Sequence, residues 1–342
     1  MRFSVPQLAV PQLSVLQSAV LQLSVSQLSV KLGAVTRGIA VAALLFACSP
    51  AQEGPPSDPA VSEEEGRLTL YTVNYPLKYL AERIGGEFVT AVFPAPSGID
   101  PAYWSPEPEQ VAAYQGADLI LLNGAGYAAW VDRASFLRRQ LVDTSAGFRD
   151  RLLPLDEAPL HTHGPEGDHS HSGTAFTTWL DPTLALEHAR VISDALADLR
   201  PDRAEAFEQN LHALEGDLAR LDQRLEQVAQ RLGQSPLFFS HPVYAYLERR
   251  YRLNGRSLHW EPDRVPDAKL WQEFASLLET HPAQLMIWEA PPEAETRQRL
   301  AALGVAIAVY APTAQPPETG DWLTAMQSNV AALETYLAEL SP

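Results

Sequence analysis

Four of the chain's nine histidines fall within eleven residues, His161-Thr162-His163-Gly164-Pro165-Glu166-Gly167-Asp168-His169-Ser170-His171. Two His-x-His pairs with two acids, on a segment loosened by Gly164 and Gly167, can wrap zinc or a similar ion. The competing reading is a polar loop with incidental histidines. His241 follows the apolar run Leu237-Phe238-Phe239-Ser240, and open α/β sheets place ligand-binding groups at such strand ends. A helix N-terminal histidine bonded to backbone would look the same. Glu289 ends the run Leu285 to Trp288 and is either a second ligand or a solvated carboxylate. His259-Trp260-Glu261 sits at a third strand end, where His259 and Glu261 border a cleft or pack an edge. Tyr103, Trp104, Trp179, Trp260 and Trp288 lie at strand ends or adjoining loops, and they line the same cleft or fill a core.

Catalysis is poorly represented. Ser240 and His241 are sequence neighbours, which does not make a nucleophile–base pair. There is no Gly-x-Ser-x-Gly elbow and no phosphate-cradling glycine loop. The turn Asn123-Gly124-Ala125-Gly126 is too short for a dinucleotide fingerprint.

The lone cysteine, Cys48, closes Val41-Ala42-Ala43-Leu44-Leu45-Phe46-Ala47-Cys48, an apolar run that follows Lys31 and Arg37. That is the layout of a bacterial lipoprotein signal: Ala47 suits the peptidase, and Cys48 carries the lipid. The run is too short to span a bilayer. The expectation is therefore an extracytoplasmic, membrane-tethered chain without disulfides. Upstream, residues 4–33 repeat in fives, beginning Ser-Val-Pro-Gln-Leu and Ala-Val-Pro-Gln-Leu. A period of five suits neither helix nor strand, so residues 1–47 are read as signal region outside the fold, with translation starting near Val30 or Val35 or with an unusually long signal peptide. Residues 48–66, with Pro50, Pro55, Pro56, Pro59 and Glu63-Glu64-Glu65, read as a flexible tether. Formal charge is −17, and residues 1–47 contribute three basic and no acidic groups. Such acidity argues against nucleic acid or anionic lipid as partner and suits cationic cargo.

The remaining ~275 residues are enough for two lobes. Strands are expected at 68–73, 89–93, 118–122, 237–240, 256–259, 284–288 and 305–309. Helices are expected at 77–84, 106–114, 127–136, 244–251, 268–280, 294–303 and 322–340. Their alternation implies parallel βαβ units. Between the lobes, Asp181-Pro182 opens a helical segment that Arg200-Pro201-Asp202 interrupts. From Arg203, Phe207, Leu211, Leu214, Leu218, Leu221, Leu225 and Val228 recur at steps of three and four, giving one amphipathic helix of about 45 Å. The fold class is α/β: two Rossmann-like lobes (67–180 and 233–342) joined by one long rigid helix within 181–232, with a ligand cleft between them.

Several landmarks in this order carry a family resemblance. They are Pro76-Leu77 through Gly85-Gly86-Glu87, Asp100-Pro101, Pro106-Glu107-Pro108, Ala117-Asp118-Leu119-Ile120 through Gly126, and Trp179-Leu180-Asp181-Pro182. Ser240-His241, Tyr246-Leu247, Glu261-Pro262 and Trp288-Glu289 continue the series. Over Leu68 to Leu340 the chain resembles the zinc/manganese-type metal-binding lipoproteins of ABC transporters. The resemblance implies a divalent metal held in the interlobe cleft and handed to a membrane permease, by a protein expected to be a monomer. It also implies a histidine-rich loop at 161–171.

The ligand pattern departs from that family. Ala102 follows Asp100-Pro101 where a histidine is expected, Thr177 stands two residues before Trp179 in place of another, and Ala311 precedes Pro312 in place of aspartate. His241 alone survives, with Glu289 close by in the pattern. Four-coordinate zinc needs further donors, which His161, His163, His169 and His171 are placed to supply. Three readings follow. The first is zinc (or Mn2+ or another divalent metal) for an importer. The second is a small molecule or metal chelate against Tyr103, Trp104, Thr177 and Trp179. The third is a surface lipoprotein for adhesion or metal buffering.

Overall fold

The structure is a computed structural model, and it describes residues 66–155, 161–162, 168–169 and 173–340. The signal region, the tether and most of the histidine-rich segment, including His163 and His171, lie outside the described residues. No described helix is long and apolar enough to cross a membrane.

The first sheet has strand order β2-β1-β3-β4, all parallel: β1 Leu68–Thr72, β2 Val89–Val92, β3 Leu119–Leu122 and β4 Leu141–Asp143. Its inner strand β3, Leu-Ile-Leu-Leu, is apolar at every position, as a strand covered on both faces must be. Helix α1 (Tyr75–Gly85) starts where Asn74 accepts the Leu77 amide, with Pro76 in its first turn. Helix α2 (Pro108–Gln115) returns the chain to β3. Two short antiparallel pairs follow, β5 (Pro154–Leu155) with β8 (Gly173–Thr174), and β6 (His161–Thr162) with β7 (Asp168–His169). The backbone thus sets His161 opposite His169.

The second sheet repeats the plan, with order β10-β9-β11-β12: β9 Pro236–Phe239, β10 Asn254–Ser257, β11 Leu285–Trp288 and β12 Ala306–Val309. Helices α5 (Ala245–Tyr251), α6 (Ala268–Thr280), α7 (Ala294–Ala302) and α8 (Trp322–Glu339) flank it. Asp267 and Asp321 cap α6 and α8 by accepting the amides of Leu270 and Thr324.

Helix α3 (Pro182–Leu199) and the 29-residue α4 (Ala204–Leu232) lie between the sheets in sequence. The apolar stripe on α4 is buried as its spacing predicts, except that Leu211 is only partly covered. Ion pairs fasten α4 to both halves: Asp217 to Arg83 of α1 at 2.7 Å, Asp222 to Arg250 of α5 at 2.5 Å, and Arg224 to Glu334 of α8 at 2.8 Å.

The differences from the sequence reading are largest at three elements. The helix expected at 127–136 is a single 3-10 turn, Ala129–Arg133. Ala128 enters it in a left-handed conformation, and Ala134 leaves it extended. Trp130 packs there edge-on against Tyr114 and Trp104, so aromatic packing overrides helical spacing. Strand β10 lies two residues earlier than expected, because Leu258 and Trp260 bond individually to the Phe239 and Ser240 carbonyls. Strand β4, unanticipated, pairs with β3, and the Gln140 side chain anchors its start to the Ala117 carbonyl.

Candidate metal centre

Both sheets end their strands toward loops that carry the polar residues singled out above, and the second sheet holds the denser group. His241 stands two residues past the end of β9, an inner strand. The Ser240 amide bonds to the Ile287 carbonyl, and the Trp260 amide bonds to the Ser240 carbonyl, both at 2.8 Å. These bonds extend the ladder beyond β9 and fix the imidazole against strands on either side. Glu289 follows β11 on one side, and Glu261 follows β10 on the other.

The imidazole of His241 is therefore set between two carboxylates. Its Nδ1 is 3.3 Å from Glu289 Oε1, and its Nε2 is 3.9 Å from Glu261 Oε1. The His241 side chain is only 3% exposed, while Glu261 and Glu289 keep 19% and 25% exposure. The carboxylates thus form the solvent-side lip and the imidazole the floor. His259 completes the group, its ring edge-on to His241 with centroids 5.9 Å apart. Tyr244, in full burial beside Glu289, keeps its hydroxyl proton well above the ordinary range, and the hydroxyl donates to the Tyr310 carbonyl. Among the described residues, no three His, Cys, Asp or Glu side chains form a group that could hold a metal ion. A four-coordinate ion would need donors beyond the described His241, Glu289 and Glu261.

The first sheet's loops are built differently. Asp100 turns its chain segment inward, its carboxylate accepting the Ala102 amide at 2.9 Å and its carbonyl accepting the amides of Tyr103 and Trp104. Ala102 and Trp104 are buried, and Tyr103 packs edge-on against Phe176. Thr177 donates its hydroxyl to the Val243 carbonyl at 2.5 Å, and the Trp179 indole donates to the Pro312 carbonyl at 2.8 Å. Ala311 is gripped through its backbone, its amide donating to Asn329 Oδ1 and its carbonyl accepting from Asn329 Nδ2. The three positions where the sequence lacks an expected ligand, 102, 177 and 311, are thus occupied by packing and backbone bonds. Trp104 and Trp179 are core side chains, as are Trp260 and Trp288.

Two polar residues that the sequence reading left without a role hold this region together. Asn74 donates its side-chain amide to Asn123 Oδ1 at 3.0 Å, and Asn123 donates to the Phe176 carbonyl at 2.9 Å. Both are buried. Asn74 ahead of Tyr75-Pro76 is a recognisable helix cap, so that half was findable. Its pairing with Asn123 needed the strand order.

His188 of α3 is also buried, and each ring nitrogen meets a threonine hydroxyl, Thr144 at 2.6 Å and Thr178 at 2.8 Å. Burial pushes its pKa down to about 3, so this imidazole is neutral at any working pH. It braces the turn that carries Thr177 and Trp179.

Comparison with known proteins agrees with this architecture. The zinc uptake protein ZnuA of Bacillus subtilis (strain 168) is 24% identical over 240 residues, which take in 69% of this chain and 75% of that protein. The manganese-binding lipoprotein MntA of Halalkalibacterium halodurans is 26% identical over 206 residues, 60% of this chain and 64% of its own. The Zn(II)-bound ZnuA-like domain of Streptococcus pneumoniae AdcA superposes with a TM-score of 0.67 at 21% identity, covering 79% of this chain and 98% of that one. Residues 70–336 match the family described as ZnuA, zinc-uptake complex component A, periplasmic. The chain belongs to that family, the extracytoplasmic metal-binding components of metal ABC importers rather than enzymes.

Proposed function

We propose that this chain captures zinc at the strand ends of its second sheet and delivers it to an ABC permease. His241 is the anchoring ligand and Glu289 its nearest carboxylate. His161, His163, His169 and His171 supply the donors that the rest of the chain lacks, and Glu261 and His259 border the site. The observation that carries this is the buried imidazole set between two half-open carboxylates. A nitrogen ligand on a rigid floor with anionic oxygens at the lip suits a borderline divalent ion, zinc first and manganese second. The acidic whole, at −17, favours approach of such a cation.

In this reading Cys48 bears the lipid, residues 48–66 tether a monomeric body to the membrane, and residues 181–232 join lobes 67–180 and 233–342.

Calorimetric titration of residues 49–342 with zinc tests the proposal beside His241→Ala and a variant lacking residues 161–171. Stoichiometric binding lost in both variants is expected. Wild-type affinity in His241→Ala sinks the assignment, and loss only in the deletion variant reduces the protein to a weak metal buffer.

A further inference from the structure

The loop between β3 and the 3-10 turn at Ala129 is strained. Gly124, Ala125, Gly126 and Ala128 all take positive φ, at 72°, 53°, 77° and 57°. Glycine tolerates this, and at Gly124 nothing larger fits, since a Cβ would lie 1.8 Å from Ser145 Oγ. The two alanines are held in a conformation that L-residues avoid. The same loop carries Tyr127, whose side chain is 7% exposed and whose buried hydroxyl has no hydrogen-bond partner among the described residues. An unpaired buried hydroxyl is unfavourable in the same sense as a strained backbone, and the two together mark a place shaped for something else.

The position of that loop says what it serves. It leaves the carboxyl end of β3, an inner strand, where open α/β sheets hold ligands. The Tyr127 ring packs edge-on against Phe176 at 5.1 Å and Trp179 at 5.9 Å. Between those two residues lies Thr177, bonded to Val243, itself two residues past His241. Trp179 reaches across to Pro312. Tyr127 therefore stands at the seam where the first sheet's loops meet those carrying His241. Burial, reinforced by the Asp100 carboxylate, keeps the phenol protonated, so it donates a hydrogen bond and does not act as a phenolate ligand.

We propose that the Tyr127 hydroxyl is the first lobe's contact to the captured ion. It donates a hydrogen bond to an oxygen ligand, a water or a small carboxylate, that the ion retains because Ala102 and Thr177 supply no imidazole. The inference rests on the reading of His241 as the anchoring ligand. Zinc chloride titration of residues 49–342 against a competing chelator tests it, with Tyr127→Phe, with His241→Ala as control, and with thermal melts of each zinc-free protein. Tyr127→Phe should weaken zinc binding about 5- to 10-fold, the loss of one ordinary hydrogen bond. Its zinc-free Tm should stay level or rise, because an unpaired buried hydroxyl has been removed. Wild-type affinity in Tyr127→Phe, with binding lost in His241→Ala, overturns this inference and leaves the metal assignment intact. Wild-type affinity in both variants overturns both. A lower zinc-free Tm in Tyr127→Phe would give the hydroxyl a structural partner and likewise overturn it.

Discussion

The carboxyl edges of the two sheets share one topology and have opposite chemistry. On the second sheet, three adjacent strand ends place Glu261 and Glu289, both partly open to solvent, on either side of the buried His241. On the first, the corresponding loops spend their polar groups on backbone carbonyls: Thr177 on Val243, Trp179 on Pro312 and Asn123 on Phe176. Each of these groups is committed as a donor to a backbone carbonyl, which fixes its orientation within the scaffold. The first sheet's edge, with Ala102, Thr177 and Ala311, is thus built as a scaffold wall, and in the proposed function the ligands His241 and Glu289 stand on the other wall.

The hardest test of that division strikes the helix that both halves share. Phe207, fully buried on α4, packs edge-on against Phe88 beside the first sheet, with ring centroids 6.1 Å apart. Phe207→Ala should destabilise the protein by about 3–5 kcal/mol in urea unfolding. Hydrogen exchange then discriminates. If β1 and β3 lose protection while β9 and β11 keep theirs, the two walls are separate cooperative units. Equal loss in both sheets would make them one.

Acid should act on the scaffold wall. His188 titrates at about 3 when folded, below its ordinary 6.5, because burial opposes its charge. The unfolded chain therefore binds the proton more readily, and stability falls as pH drops below 6.5, continuing toward 3. By linkage the loss is about 2 kcal/mol at pH 5 relative to neutral pH. His188→Gln, which retains hydrogen-bonding capacity, should remove that portion of the pH dependence. An unchanged slope between pH 6.5 and 4 in the variant would assign the acid sensitivity elsewhere.

The fold was largely legible because the signals were long or repeated. The stripe from Phe207 to Val228 identifies α4 without help, and apolar runs such as Leu119-Ile120-Leu121-Leu122 identify the inner strands. Failures came where tertiary packing decides. Trp130 and its aromatic neighbours convert an expected helix at 127–136 into one turn. Strand β4, three residues long, has too little periodicity to register. The site was half legible. His241 and Glu289 announce themselves by following apolar runs, and the structure sets them 3.3 Å apart. Tyr127 could not be found that way, since its interest lies in a missing hydrogen bond and a twisted backbone, neither of which a one-dimensional pattern records. Nor could sequence tell that Thr177 spends its hydroxyl on a carbonyl.

That hydroxyl gives the finest test of the comparison. Thr177→Val preserves the shape and β-branching of a buried residue and removes only the bond to the Val243 carbonyl. As scaffold, the bond contributes about 1 kcal/mol, since the carbonyl it leaves is not fully repaid by water at a buried position. For a body of this size that lowers Tm by about 2 °C. Zinc affinity should not change if the hydroxyl, oriented by the Val243 carbonyl, serves only as scaffold. A Thr177→Val protein with unchanged Tm and weakened zinc binding would mean that the hydroxyl leaves Val243 when the ion arrives. The first wall would then supply an oxygen ligand after all.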